Sequence, residues 1–126
     1  MVYDTIYAMQ DQRDDAIVGV DAGRRIVSWN RAAEMIFGYR ESEVLGRQAA
    51  RLLDPIDGLE EQNRRRERVV TGERLPAFDT QCRRRDGQWV DVSITLSAIT
   101  DAHGEIVGLA KTIRDIRDRK QIERNL

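Results

Sequence analysis

The chain has 126 residues, of which 34% are charged and 40% hydrophobic, with a formal net charge of −1. That length gives one domain with short tails and a modest core. The even charge balance argues against a general nucleic-acid binder, and no apolar run approaches the ~20 residues of a membrane span, so neither nucleic acid nor membrane contact is expected of this segment. A lone Cys82 with no internal disulfide partner, and an N-terminus without signal-peptide character, fit a reducing cytoplasm.

Residues 3–13 read as a helix with Tyr3, Ile6, Tyr7 and Met9 on one side, too short to be stable unless it packs on something. Ala16 to Asp21 is a first strand, Asp21-Ala22-Gly23-Arg24 a turn, and Arg25 to Trp29 a second strand in hairpin with the first. Asn30 is an N-cap for the helix that follows, with Ala33, Ile36 and Phe37 at helical spacing and Gly38 able to close it in the left-handed conformation. A short helix over Glu41 to Gly46 and one or two helical turns over Gln48 to Leu53 come next, stopped by Pro55. The longest helix runs from about Gly58 to Thr71, with Asp57 and Glu60 spaced as a capping box and Gly72 as terminator.

Three strands complete the domain: Ala77 to Arg84, Gln88 to Ala98 and Ile106 to Arg114. Asp86-Gly87 is a hairpin signal, and Asp101-Ala102-His103-Gly104 turns the chain again. In the middle strand Val90, Val92, Ile94 and Leu96 share one face, and Trp89, Asp91, Ser93, Thr95 and Ser97 the other. On the last strand the face matching Trp89 carries Ile106, Gly108, Ala110 and Thr112, small enough for a helix to lie across. The expected architecture is α+β, a single antiparallel sheet with helices gathered on one side. Asp115 to Leu126 is charged and helix-favouring, as the beginning of a connector would be.

Five stretches in order carry a family resemblance: Asp15-Ala16-Ile17-Val18-Gly19-Val20-Asp21-Ala22-Gly23, then Trp29-Asn30-Arg31-Ala32-Ala33-Glu34 with Phe37-Gly38-Tyr39, then Leu45-Gly46-Arg47, then Arg84-Arg85-Asp86-Gly87 with Val90-Asp91-Val92-Ser93, and finally Gly108 with Arg114-Asp115-Ile116. Over residues 15 to 120 the chain resembles a bacterial-type PAS sensory domain. The resemblance implies a five-stranded antiparallel sheet in the order 2-1-5-4-3, helices on one face, and a cavity between helix and sheet. It divides the chain into an N-terminal capping helix (1–14), the PAS domain (15–116) and the start of a helical linker to an output domain (117–126). Two positions depart from the family pattern. Arg40 replaces the Ser or Thr that caps the second helix, leaving Ser42 to cap from a shifted register or the helix to fray. Asp115-Ile116-Arg117 lacks the hydroxyl of the usual Asp-Ile-Thr exit, so an arginine is the alternative partner for Asp115.

The resemblance also frames the cofactor question. Ala49 stands where the light-sensing branch carries its adduct-forming cysteine, and the long helix has none of the histidine used by the haem branch. Covalent flavin and haem are therefore not expected, and the cofactor is otherwise unassigned. No His, Cys and carboxylate set has metal spacing, and nothing resembles a catalytic constellation. His103 reads as an exposed turn residue and Cys82 as a small buried hydrophobe.

The long helix places Leu59, Gln62, Asn63, Arg66, Val69 and Val70 on one broad face. If that face looks into the cavity, its polar groups need a ligand, water or each other. The candidate ligand-binding set is Gln62, Asn63, Arg66 and Val70 with Phe37 and Ile94, and the ligand a polar or anionic metabolite. The alternative is that Arg64 to Arg68 form a solvated basic face. Arg83-Arg84-Arg85 likewise reads as a solvated run at a hairpin tip.

Tyr3, Ile6 and Met9 with Trp89 form the candidate homodimer surface, and Asp115 and Ile116 the signal exit. The expected function is a non-enzymatic sensory module that binds a small molecule or mediates dimerisation. It would relay its signal to an attached histidine kinase or cyclic-di-GMP output domain. A dimerisation module with an empty pocket is the alternative.

Overall fold

Asp15–Asp21 (β1) and Ile26–Trp29 (β2) form an antiparallel hairpin across a turn in which Arg24 takes a left-handed φ of 68°. The turn closes through the Arg24 N–H donating to the Asp21 carbonyl at 2.9 Å and the Arg25 N–H donating to Asp21 Oδ1 at 2.9 Å. This computed structural model describes residues 15–124. The expected N-terminal helix, with Tyr3, Ile6 and Met9, lies outside the described residues.

Arg31–Phe37 (α1) starts and stops on the side chains expected of it. Asn30 Oδ1 accepts from the Ala33 N–H at 3.0 Å, and Gly38 sits at φ 85° with its N–H on the Glu34 carbonyl. Asn30 also ties this helix to the sheet, because Oδ1 accepts from the Ile17 N–H and Nδ2 donates to the Asp15 carbonyl.

Glu41–Val44 (α2) is neither frayed nor capped by Ser42. Glu43 accepts from the Arg40 N–H at 2.7 Å and Glu34 from the Glu41 N–H at 2.8 Å, so two carboxylates, not a cap hydroxyl, fix the start of the helix. Ala49–Leu53 (α3) ends at Asp54, which has a left-handed φ of 42°. Gly58–Val70 (α4) follows without the expected capping box: the Asp57 backbone is already helical and its carboxylate turns to Arg65, 2.6 Å away.

Phe78–Arg83 (β3), Trp89–Thr100 (β4) and Ile106–Asp115 (β5) complete a five-stranded antiparallel sheet in the order β2-β1-β5-β4-β3. Its inner face carries Val18, Val20, Val90, Val92, Leu109 and Ile113, all buried against α1 to α4. Residues one position along each strand face outward, as period-two alternation requires. At Gly108 the strands approach so closely that a Cβ would lie 2.1 Å from the Val20 carbonyl oxygen, so only glycine fits. Arg117–Arg124 (α5) leaves the sheet with the Ile116 N–H held by the Asp91 carbonyl at 3.0 Å. No helix among the described residues is long and apolar enough to cross a membrane.

Candidate functional site

A cavity lies between α3–α4 and the inner face of the sheet, with a volume of about 70 Å³. A single water needs about 10–15 Å³, so the space takes several waters or one compact ligand. Helix α3 contributes Ala49, Ala50 and Leu53. Helix α4 contributes Leu59, Gln62, Asn63, Arg65 and Arg66. The sheet floor supplies Thr80 and Cys82 from β3, Ile94 and Leu96 from β4, and Leu109, Lys111 and Ile113 from β5.

Four of the six residues expected to bind ligand therefore meet at one cavity: Gln62, Asn63, Arg66 and Ile94. Phe37 does not join them. It is fully buried under α1 with its ring 5.7 Å from that of Trp29, in a part of the core the cavity does not reach. Val70 packs against the core from the end of α4 and is not on the cavity wall. The Arg64 to Arg68 run divides by helical angle. Arg64 and Arg68 are exposed and paired with Glu61 and Glu73, whereas Arg65 and Arg66 are half-buried and turned to the cavity. Arg65 lies 3.8 Å over the Phe78 ring as well as pairing with Asp57.

The polar contacts around the cavity are incomplete. Arg24 Nη1 reaches across from the hairpin turn to Asn63 Oδ1 at 2.5 Å, and Arg66 Nη2 donates to the Ala22 carbonyl at 3.3 Å. Asp57 Oδ1 and Thr80 Oγ1 are buried with no hydrogen-bond partner among the described residues. Buried polar atoms are rarely left this way, and each orphan costs about 1–3 kcal/mol unless water or ligand satisfies it.

Burial, then the nearby Arg24 charge, lowers the Arg66 pKa, with Asp21 opposing. Desolvation likewise lowers the Lys111 pKa, and the charges of Arg66 and Arg24 add to the effect. Burial pushes the Cys82 thiol up to about 12, so it remains a neutral wall of the cavity. Lys111, Arg24, Thr80 and Asp57 were not among the sequence candidates. For Lys111 the signal was present: it alternates with Leu109 and Ile113 on the buried side of β5.

Away from the cavity, Trp89 is on the outer face as expected, 38% exposed, with Arg83 stacked 4.1 Å over its ring. The three arginines at the hairpin are not simply solvated. Arg83 pairs with Asp54 at 3.3 Å, Arg85 with Glu43 at 2.5 Å, and Arg84 is half-buried with its Nε 3.7 Å from Asp86. At the exit Asp115 takes Arg117 as its partner, accepting from both the backbone N–H and the guanidinium. That pairing contributes to a lowered Asp115 pKa, against desolvation, which raises it. Ile116 is buried. His103 is exposed in its turn.

A five-stranded antiparallel sheet in this order, roofed by short helices over a small cavity, is an α+β fold of the sensory-domain class. The family model of the PAS fold matches residues 5–116, and the chain belongs to the PAS family. It is 27% identical over 119 residues to the signal transduction histidine-protein kinase AtoS of Escherichia coli, covering 89% of this chain. It is 29% identical over 118 residues to the C4-dicarboxylate transport sensor protein DctS of Rhodobacter capsulatus, covering 93% of this chain. The chain spans 18% of the length of each of these relatives. Among solved structures, a PAS domain from Colwellia psychrerythraea superposes with a TM-score of 0.72 at 21% identity, over 92% of this chain and 98% of that one.

Proposed function

We propose that this domain is the sensory input of a histidine-kinase signalling protein. In this reading a small molecule seated between α4 and the sheet sets the signal, and the 115–126 segment carries it to an output domain. The observation that carries the reading is the cavity itself, lined by Gln62, Asn63 and Arg66 and by Asp57 and Thr80, each with a buried oxygen that a ligand or water would satisfy. The relationship to sensor kinases supports the output class.

Native mass spectrometry of freshly purified protein, with an absorbance spectrum alongside, tests it. The expected result is a retained small molecule, or a thermal shift with a metabolite library, that also changes autophosphorylation in the full-length protein. No excess mass and no thermal shift replace this reading with an interaction module whose pocket is empty.

A homodimer on the outer face of the sheet is the second part of the proposal. Ile17 and Val27 are 47% and 54% exposed there, and Trp89 lies on the same face. Light scattering of a Trp89→Glu variant and of a chain lacking residues 1–13 should show monomers; unchanged dimers would place the interface elsewhere.

A further inference from the structure

The charge lining the cavity is unbalanced in a way the fold does not require. Arg24, Arg65, Arg66 and Lys111 face it, against one carboxylate, Asp57. Arg65 takes that carboxylate. Arg24 and Arg66 hydrogen-bond to neutral oxygens, those of Asn63 and Ala22. Lys111 has no hydrogen bond or ion pair among the described residues, although it stands at the middle of β5 between two buried apolar neighbours, Leu109 and Ile113. Its electrostatic neighbours are a neutral thiol and two cations.

Lys111 is half-buried, and an ammonium taken partly out of water without a counter-ion is destabilising. One of only two lysines in an arginine-rich chain occupies this place. A lysine offers a compact point charge on a flexible stem, which suits a small cavity better than the broad guanidinium fork. The Thr80 hydroxyl, orphaned on the neighbouring wall, is a second donor without an acceptor. Apart from Gln62 and Asn63, the remaining wall is apolar and includes Leu53, Phe78, Ile94 and Leu109. The volume of about 70 Å³ admits only a compact molecule.

We propose that the cavity binds a compact organic acid, with its carboxylate on the Lys111 ammonium and the Thr80 hydroxyl and its carbon skeleton against Leu53, Phe78, Ile94 and Leu109. Arg24 and Arg66 supply a positive field that draws the anion in. The inference rests on the ligand-sensing reading and adds the chemical class of the ligand. An inorganic anion would leave the apolar wall unused, and a neutral molecule would leave the lysine unpaired.

Titration calorimetry of the whole chain tests this with four probes: butyrate, succinate, the neutral isostere butyramide, and inorganic phosphate. At least one acid is expected to bind, with butyramide and phosphate each roughly tenfold weaker or more, the size of a charge-assisted hydrogen bond. Lys111→Met should weaken the acid by roughly ten- to a hundredfold. The same variant should melt no lower than the unliganded wild type, which a lysine with a merely structural role would not allow. Should that variant fail to fold, Thr80→Val serves in its place, with a several-fold loss expected.

Failure of both acids to bind, phosphate or butyramide binding as well as the acids, or undiminished affinity in the folded variant would each overturn the proposal. A retained neutral molecule in the native mass spectrum would sink the acid while leaving ligand sensing intact. No ligand of any kind would remove both.

Discussion

Helices α1 and α4 cover the same face of the same sheet, yet they use it differently. In seven residues α1 buries Ala32, Ala33, Ile36 and Phe37, and it is fixed by the Asn30 cap, by Gly38 and by the ties of Asn30 to β1. In thirteen residues α4 buries only Val69, and between it and the strands lie the cavity, two orphaned polar atoms and an unpaired lysine. One helix is packed closely on the sheet, and the other pairs with its own N-cap through Arg65 and Asp57 and is tied to the β1–β2 turn by Arg24 and Asn63. The core runs under the whole sheet, with Val90, Val92 and Ile113 as fully buried as Phe37, and the groups that cost stability gather on the α4 side.

That contrast can be broken first at its rigid end. Phe37→Ala empties a fully buried aromatic site packed against Trp29 and should cost about 3–5 kcal/mol in urea unfolding. A loss below about 1 kcal/mol would mean that the α1 side is not the packed half. Asn30→Ala comes next. It removes the acceptor for the Ala33 and Ile17 N–H groups and the donor to the Asp15 carbonyl, so the expected loss is about 1–2 kcal/mol, at the upper end for a cap.

The cavity side predicts the opposite sign. Lys111 has a folded pKa below its ordinary 10.5, so between those values the unfolded chain binds more protons and stability rises with pH. Cys82 opposes this from pH 9.0 to about 12, because its raised folded pKa lets the unfolded thiol ionise first. The difference between Lys111→Met and the wild type isolates the lysine. The variant should be more stable near neutral pH, and the gap should close as pH rises toward 10.5, followed by urea midpoints without ligand. A gap that stays constant, or a variant less stable at neutral pH, would show that the lysine is paired in solution.

The Asn30 and Gly38 caps and the Val90, Val92 and Ile94 face were legible because each depends on local chemistry or strict alternation, whereas the sheet order came from the family resemblance alone. Gln62, Asn63 and Arg66 were legible because helical spacing places them together. Spacing identifies a face and not a depth, which is why Phe37 and Val70 were assigned to a cavity they do not reach. Asp57 shows a local signal losing to a tertiary one, since Arg65 competes for the carboxylate that would have capped α4. Thr80 and Arg24 reach the cavity through strand pairing and the hairpin turn, contacts between segments distant in sequence. Lys111 was readable from its apolar neighbours at period two, but a lysine in such a strand is easily taken for a solvent-facing residue.

The exit offers the mildest test. Asp79 pairs with Ser93 in the sheet register and so faces outward, and Arg119 of α5 forms an ion pair with it. Both side chains are about half exposed, so a double-mutant cycle with Arg119→Ala and Asp79→Ala should give a coupling of about 0.2–1 kcal/mol, shrinking with salt. In the proposed relay a contact this weak would suit α5, because a ligand at the cavity would need little energy to shift it. Ile116 sits at the start of α5, buried and tied to Asp91, so the hinge is anchored while the helix beyond it is held lightly. A coupling above about 2 kcal/mol would make α5 a fixed part of the domain, and the small energy that separates the seated and released helix would then be missing.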